Sequence, residues 1–295
     1  MVTNDLHYTS SISDYKSRQQ AYGLDVRIVK HRDWHTDLRE MERAVDKNTK
    51  LIAVSLVSSV NGHVENVRAL SDLAHAHGAL LFADIVQACG AIPIDVRAMG
   101  IDLASCAMYK WLMGEHGFGF LYIREDLIGT KVKGTQFEGH PSYNYGPWVA
   151  KPDPNQPEIV NHPNIGVSTF QCGTPSAITY AAQYESFRYI ERLGIPNIQA
   201  HARPIIARLR KELPALGYST ITPAGADTPI VTFLCLDIEN TKARFREAWR
   251  TRRARVSITG ENPALTIGRF GNQMRFSVSV FNNQDDVNRV LDVLS

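Results

Sequence analysis

The chain has 295 residues, 32 basic and 30 acidic side chains and a formal net charge of +2, so it is long enough for one large domain and a smaller one. Its charges are scattered without long runs of one sign, which argues against a nucleic acid or a membrane surface as a partner. Because no apolar run reaches the roughly 20 residues that span a bilayer and MVTNDLHYTS lacks the apolar core of a secretory signal, we expect a cytoplasmic protein.

The first two thirds of the chain alternate strand-like and helix-like stretches. Strands are predicted at 27–30, 51–57, 79–84, 102–107 and 118–123. Helices are predicted after Thr36, which we take as an N-cap, and over 67–77, before Gly78. This order predicts an α/β fold with a mainly parallel sheet and helices on both faces. Ligands of such sheets bind at the carboxyl ends of the strands.

The last third has a different organisation. Residues 134–168 are rich in proline, glycine, asparagine and aromatic residues, which indicates a long irregular segment. Helices are then predicted at about 175–193, 197–213, 241–250 and from Asp285, and strands at 230–236, 253–258 and 274–280. We therefore predict a large domain over 1–194 and a smaller α+β domain over 195–295.

The four cysteines are widely spaced, and none forms a Cys-x-x-Cys pair: Cys89, Cys106, Cys172 and Cys235. Reduced thiols in apolar surroundings explain this pattern better than a disulfide framework or a zinc site. We predict no metal site.

Two charged side chains directly follow predicted buried strands. Asp84 ends LLFAD, and Lys110 lies 26 residues later in CAMYKWLMGEHGFGFLY. Taken singly, Asp84 could cap a turn and Lys110 could extend to solvent. As a pair they also suit an aldehyde cofactor, since a lysine amine forms a Schiff base and a carboxylate keeps a pyridine nitrogen protonated.

Three stretches of this sequence resemble the class V aminotransferase family. They are LLFADIVQACGAIPIDVRAMGIDLASCAMYKWLMGEHGFGFLYIRED, FQCGTP at 170–175 and MRFSVSVFNNQDD at 274–286. The family consists of pyridoxal-phosphate enzymes of fold type I, including cysteine desulfurases, selenocysteine lyase and isopenicillin N epimerase. The resemblance extends through almost the whole chain. It implies a pyridoxal 5'-phosphate cofactor, an amino acid substrate and a homodimer whose active sites are shared between subunits.

The resemblance also implies roles for residues around the cofactor ring. Lys110 would form the Schiff base and then shuttle a proton, because desolvation lowers the pKa of an amine and makes it a usable base. Asp84 would face the pyridine nitrogen. Gln87 would hydrogen bond to the ring hydroxyl oxygen, and His7 would stack on the ring. Considered alone, Gln87 reads as a surface glutamine and His7 as a structural histidine.

The resemblance implies two further contacts, one to the cofactor phosphate and one to the substrate carboxylate. Thr174, just ahead of a helix, would contact the cofactor phosphate of the neighbouring subunit, and Arg275 would bind a substrate α-carboxylate with its two-pronged guanidinium. Without the resemblance, Thr174 is an ordinary helix cap and Arg275 a charge on an edge strand.

The sequence departs from the family pattern at three positions near the expected cofactor. Ala107 replaces the serine or threonine that binds phosphate. Tyr109 replaces a common histidine, and Ser59 replaces an asparagine near the ring hydroxyl, so both are candidate cofactor contacts. The first quarter of the usual chain, with its glycine and threonine phosphate turn, is also missing. We expect either a fragment of a longer gene product or weak binding of the cofactor phosphate.

The resemblance leaves several reactions open. Desulfurases of the family use a mobile cysteine before the final arginine, and SITGENPALTIGRFGNQ at 257–273 contains none. We therefore favour a carbon–sulfur or related β,γ-lyase, with an aminotransferase or an epimerase as alternatives. The competing non-enzymatic hypothesis is a truncated homologue that serves as a dimeric scaffold. A nucleotide-binding domain is disfavoured, because G-x-x-G-x-G from Gly114 enters a strand instead of opening a helix.

Overall fold

The computed structural model describes residues 1–134, 166–170, 176–251 and 272–295. Within these ranges the strands are β1 (Val2–Asn4), β2 (Arg27–Val29), β3 (Leu51–Ser55), β4 (Leu80–Asp84), β5 (Leu103–Ala107), β6 (Gly119–Ile123), β7 (Ser219–Thr220), β8 (Ile230–Leu234) and β9 (Gln273–Ser277). The helices are α1 (Thr9–Tyr22), α2 (Leu38–Ala44), α3 (Val67–Ala76), α4 (Ala177–Leu193), α5 (Ile195–Glu212), α6 (Ile238–Arg250) and α7 (Gln284–Leu294).

The first sheet is mainly parallel. Its strand order is β2-β1-β3-β4-β5-β6, and each neighbouring pair is parallel except β5 and β6. The middle of β3 is buried on both faces, since Ile52, Ala53 and Val54 are 0% exposed. Continuous apolar strands of this kind are typical of a parallel sheet that is covered on both sides. The predicted α/β class is confirmed, and the carboxyl ends of β1, β3, β4 and β5 lie along one edge.

The second sheet is antiparallel, in the order β7-β8-β9. Helices α5, α6 and α7 pack around it, with α7 contacting both α5 and α6. It has its own apolar cluster, which includes Leu213, Phe233 and Phe245. The predicted α+β character of this region is confirmed. The boundary between residues 194 and 195 coincides with the junction of α4 and α5 and stays a prediction.

One buried carboxylate stabilises the amino ends of the strands of the first sheet. Asp102 is 0% exposed, and it accepts hydrogen bonds from the Leu81 N–H and from His75 Nε2, each at 2.8 Å. The Arg124 guanidinium, just past β6, also donates to it. Because α3, β4 and β6 meet at this carboxylate, the amino end of the sheet is fixed. Among the described helices, none is long and apolar enough to cross a membrane.

The structure corrects the predicted start of α2. The N-cap is Asp37, whose side chain accepts from the Arg39 N–H at 2.9 Å. Thr36 does not cap the helix, because its hydroxyl is committed to the buried Glu65 carboxylate and accepts from Asn4 at 3.0 Å. A carboxylate beside the positive end of a helix is the more favourable cap.

The predictions differ from the structure in two other ways. Helix α1 was not predicted, because its sequence TSSISDYKSRQQAY has no apolar stripe and Ile12 is its one buried residue. The observed strands β3, β8 and β9 are also shorter than predicted. The predicted strand at 253–258 and most of the irregular segment at 134–168 lie outside the described residues.

Candidate active site

The candidate site lies at the carboxyl edge of the first sheet. Asp84 is the last residue of β4 and pairs in register with Ser55, the last residue of β3. Lys110 follows the end of β5, the next strand along. These positions agree with the general rule for parallel sheets, so the residues singled out in the sequence meet at one edge.

The Lys110 ammonium lies between two tyrosine rings. Its Nζ is 5.7 Å from the centroid of the Tyr8 ring and 5.8 Å from that of Tyr109. Burial lowers the pKa of Lys110, and the nearby charge of Arg275 lowers it further, while Asp84 opposes both effects. The amine is therefore easier to deprotonate than an ordinary lysine, as a nucleophile or a base requires.

Asp84 is a buried carboxylate, 9% exposed. Burial raises its pKa, while the hydrogen bond from the Val86 N–H at 2.9 Å and the charge of Lys110 lower it. The carboxylate thus lacks the hydration of a surface aspartate and has only partial compensation from its neighbours. Such a group gains most by pairing with a cationic N–H brought into the site.

Gln87 is held by the residue that follows Lys110. The Trp111 indole Nε1–H donates to Gln87 Oε1 at 3.1 Å, and Gln87 is 7% exposed. Because an indole nitrogen only donates, the atom facing it must be the amide oxygen. The amide NH₂ group of Gln87 therefore points the other way and can donate to an acceptor in the site.

Arg275 reaches the site from the second sheet. It lies on β9, and its Nη1 donates to the backbone carbonyl of Ser59 at 2.7 Å. Solvent still reaches its side chain, but the surrounding protein removes enough hydration to lower the pKa of the guanidinium. The Ser59 carbonyl oxygen thus helps to hold the Arg275 guanidinium in place.

His7 lies three residues beyond the end of β1 and is 0% exposed. Its Nδ1 is 2.8 Å from Ser55 Oγ, and its Nε2 is 3.2 Å from the Tyr15 hydroxyl. Burial lowers the pKa of His7 to about 4, so the imidazole is neutral at physiological pH. Since the ring has no exposed face, a stacked cofactor would have to displace the atoms that now cover it.

The buried His7 should make the protein sensitive to mild acid. Its pKa is about 6.5 when unfolded and about 4 when folded, so the unfolded state binds more protons between these values. The free energy of unfolding will fall as the pH drops from 6.5 towards 4, by about 3 kcal/mol from this group. Urea denaturation at pH 7 and pH 4.5 measures the fall, and a His7→Gln variant should show a clearly smaller one; equal falls in both proteins would contradict the assignment.

The structure thus places seven of the eight predicted site residues. The charges of Lys110, Asp84 and Arg275 act on one another, and the other four lie next to them: His7, Ser59, Gln87 and Tyr109. Thr174 lies outside the described residues. The roles of these eight residues remain predictions. Sequence reasoning missed Tyr8 and Trp111, although each is adjacent to a predicted residue.

The cysteines of the described ranges are free thiols, as predicted for Cys89, Cys106 and Cys235. Cys106 Sγ donates to the backbone carbonyl of Ala107 at 3.4 Å. Interaction with the neighbouring Cys89 thiol, together with burial, raises the pKa of the Cys106 thiol, and the same interaction lowers that of Cys89. Cys106 therefore stays protonated. Cys172 lies outside the described residues.

The residues present fit the ring half of a pyridoxal cofactor. Lys110 offers an amine for the aldehyde, Asp84 an acceptor for a protonated ring nitrogen, and Gln87 a donor for the ring hydroxyl oxygen. The phosphate half is less well supplied by the described residues, since Ala107, the last residue of β5, has no hydroxyl.

Comparison with known proteins identifies the family. The model of the family Aminotransferase class-V matches residues 1–290. The chain is 30% identical, over 210 residues, to a probable cysteine desulfurase of Methanothermobacter thermautotrophicus, an alignment that covers 71% of this chain and 49% of the relative. The chain belongs to the class V aminotransferase family, and it spans about half the length of the curated relatives that it matches.

Solved structures show the same fold. The apo structure of a cysteine desulfurase from Thermococcus onnurineus superimposes with a TM-score of 0.79 at 22% identity, covering 99% of this chain and 71% of the other. A mutant of C-DES with glycine covalently linked to its pyridoxal phosphate cofactor gives a TM-score of 0.77 at 16% identity, with coverages of 99% and 73%. The predicted fold type I architecture is confirmed.

Proposed function

We propose that this chain forms the catalytic part of a pyridoxal-phosphate enzyme that cleaves a carbon–sulfur or related bond in an amino acid. The observation that carries the proposal is the meeting of a partly desolvated amine, Lys110, with a buried carboxylate, Asp84, at adjacent strand ends. When bound, pyridoxal phosphate supplies an aldehyde and an electron-withdrawing ring. The family membership and the named relatives support the same class of chemistry.

The chain's own residues then have distinct tasks. Lys110, with its lowered pKa, would hold the cofactor by its aldehyde and would serve as the base that moves a proton at the substrate carbon. The Asp84 carboxylate would face the ring nitrogen, and the Gln87 amide would face the ring hydroxyl oxygen. His7 would stack on the ring once the atoms that now cover it are displaced. Tyr109 lies beside Lys110, and the Ser59 carbonyl holds the Arg275 guanidinium.

A lyase that releases a free thiol or sulfide suits this chain better than a persulfide-forming desulfurase. The relatives are named cysteine desulfurases, but residues 257–273 contain no cysteine to receive the sulfur. An aminotransferase or epimerase of the same family is the second candidate, since both need the same Lys110 and Asp84.

Two further parts of the proposal concern the oligomeric state of the protein and its location in the cell. Helix α4 follows Thr174 and exposes five large apolar side chains: Ile178, Tyr180, Tyr184, Phe187 and Tyr189. An apolar surface of this kind supports a homodimer in which Thr174 contacts the phosphate bound by the partner. Sedimentation should then give twice the 33.0 kDa chain mass. We place the enzyme in the cytoplasm.

The non-enzymatic alternative, a dimeric scaffold, rests on Ala107 and the few phosphate contacts. Incubation with pyridoxal phosphate separates the hypotheses, because covalent attachment to a lysine produces visible absorption. A screen of sulfur-containing amino acids for sulfide, pyruvate or another keto acid then tests the reaction. Absorption without any product would favour the scaffold, whereas keto acid without sulfide would favour the alternative enzymes.

Arg275 should govern the affinity for substrates that carry a carboxylate. Replacing it with alanine removes a charge-assisted pair worth about 1.5 to 3 kcal/mol, so KM should rise about 10- to 100-fold with a smaller change in kcat. Arg275→Lys keeps the charge but loses the two-pronged geometry and should be intermediate. Arg289→Ala, at an exposed position of α7, is the control. A normal KM in Arg275→Ala would exclude this role.

A further inference from the structure

Both ring nitrogens of His7 have a hydrogen-bond partner, and the two partners come from different elements. Ser55 Oγ, at the end of β3, is 2.8 Å from Nδ1, and the hydroxyl of Tyr15, from α1, is 3.2 Å from Nε2. The His7 and Tyr15 rings are nearly parallel, with an interplanar angle of 20° and centroids 5.8 Å apart. A rotation of the ring about its Cβ–Cγ bond would break both contacts.

The donors and acceptors at Ser55 define the tautomer of His7. Ser55 Oγ accepts from the Tyr8 N–H at 3.2 Å and contacts His7 Nδ1; the described residues give it no further partner. Ser55 is 5% exposed, so its own proton needs an acceptor within the protein. Nδ1 can provide one only if it carries no hydrogen, and the neutral ring therefore carries its hydrogen on Nε2.

We propose that Tyr15 is a positioning residue of the active site, which accepts the Nε2–H of His7 and so holds the imidazole in one tautomer and one plane beside Asp84. This inference rests on the proposed function for its catalytic meaning. It assigns a role to a residue of α1 that no sequence motif marks. The proton on His7 points to Tyr15, and this hydrogen bond protects it from exchange with water.

The surroundings of Tyr15 are consistent with this role. Burial raises the pKa of Tyr15 to about 12, and the charge of Asp84 adds to the effect, so the hydroxyl keeps its proton at physiological pH. It can therefore accept from His7 and still donate to another group. Most of α1 is exposed, with Ile12 its one buried residue, and Tyr15 is a half-buried member of the same face.

The tautomer can be read directly by NMR. In protein labelled with ¹⁵N-histidine, long-range proton–nitrogen correlations distinguish a protonated Nε2 from a protonated Nδ1, and a His7→Gln variant assigns the signals. We expect His7 to be protonated at Nε2 at pH 7, with no cofactor added. A ring protonated at Nδ1 would overturn the proposal without any mutation in the network.

Three variants test the role of each hydroxyl. Tyr15→Phe keeps the aromatic ring but removes the acceptor, so the Nε2–H of His7 should exchange with water roughly fivefold faster, the factor for a net hydrogen bond of about 1 kcal/mol. Ser55→Ala should populate the form protonated at Nδ1. Tyr22→Phe, on the same helix but 76% exposed, is the matched control and should leave the His7 signals unchanged.

Adding pyridoxal phosphate separates this inference from the proposed function. If Tyr15 positions His7 for the cofactor, Tyr15→Phe should weaken cofactor binding, measured by visible absorption, while Tyr22→Phe should bind as the wild type does. Unchanged His7 signals in Tyr15→Phe would overturn the positioning role even if the wild type is coloured. A wild type that stays colourless would overturn the proposed function, and with it the catalytic meaning of Tyr15, while the NMR result would still decide the hydrogen-bond network.

Discussion

Replacing Lys110 with alanine should abolish visible absorption in the presence of pyridoxal phosphate and reduce turnover to background. The Lys110 Nζ lies 5.7 Å and 5.8 Å from the centroids of the Tyr8 and Tyr109 rings, just past the end of β5, and alanine offers no amine at this place. The variant loses both the attachment point and the proton carrier, so the two readouts should disappear together. Absorption spectra and product assays on the same samples measure them.

The control is Lys47→Ala, at an exposed position between α2 and β3. It should leave absorption and turnover unchanged. Thermal melting curves of both variants exclude unfolding as the cause; a buried ammonium is costly, so Lys110→Ala should be at least as stable as the wild type. A Lys110→Ala protein that still turned over at the normal rate would refute the assignment.

Replacing Asp84 with asparagine should lower turnover by about 10- to 1000-fold, because an opposite charge at contact shifts the pKa of a partner by about 1 to 3 units. In the proposed mechanism the carboxylate would keep the ring nitrogen protonated, which a neutral amide cannot do. Asparagine retains an oxygen for the Val86 N–H, so the turn after β4 should persist. Cofactor absorption should remain but shift in position, which distinguishes this variant from Lys110→Ala.

Stability provides an independent readout for Asp84. Burial raises its pKa, so at neutral pH the ionised side chain destabilises the folded state, and that cost increases as the pH rises above the unfolded value. The free energy of unfolding of Asp84→Asn at pH 7 should therefore equal or exceed that of the wild type. Asp72→Asn, on the exposed face of α3, controls for an aspartate change elsewhere. Normal turnover in Asp84→Asn would remove the carboxylate from the mechanism.

The parallel sheet was predictable because its strands are buried on both faces and appear as continuous apolar runs, such as LLFAD. Asp84 and Lys110 were recognisable for the same reason, as charges at the ends of such runs. Helix α1 was not, since a helix that buries little besides Ile12 leaves no periodic pattern in its sequence. Tyr15 lies on this helix, so its contact with His7 was not predicted either.

The contact between Arg275 and Ser59 could not have been found from local pattern either. The two residues are 216 positions apart, and the contact exists only because the second sheet packs beside the carboxyl ends of the first. The resemblance to a family suggested Arg275, but not the carbonyl that holds it. Side-chain position at this range depends on how two sheets are oriented, which no short stretch of sequence encodes.

The contact between Arg275 and Ser59 also couples the position of the second sheet to the basicity of Lys110. Arg275 is carried by one sheet and lowers the pKa of Lys110, which is carried by the other. Any hinge movement that swings β9 outward would withdraw this cation and make the lysine more basic, and closure would restore it. The reactivity of the Lys110 amine would then depend on where β9 lies relative to the first sheet.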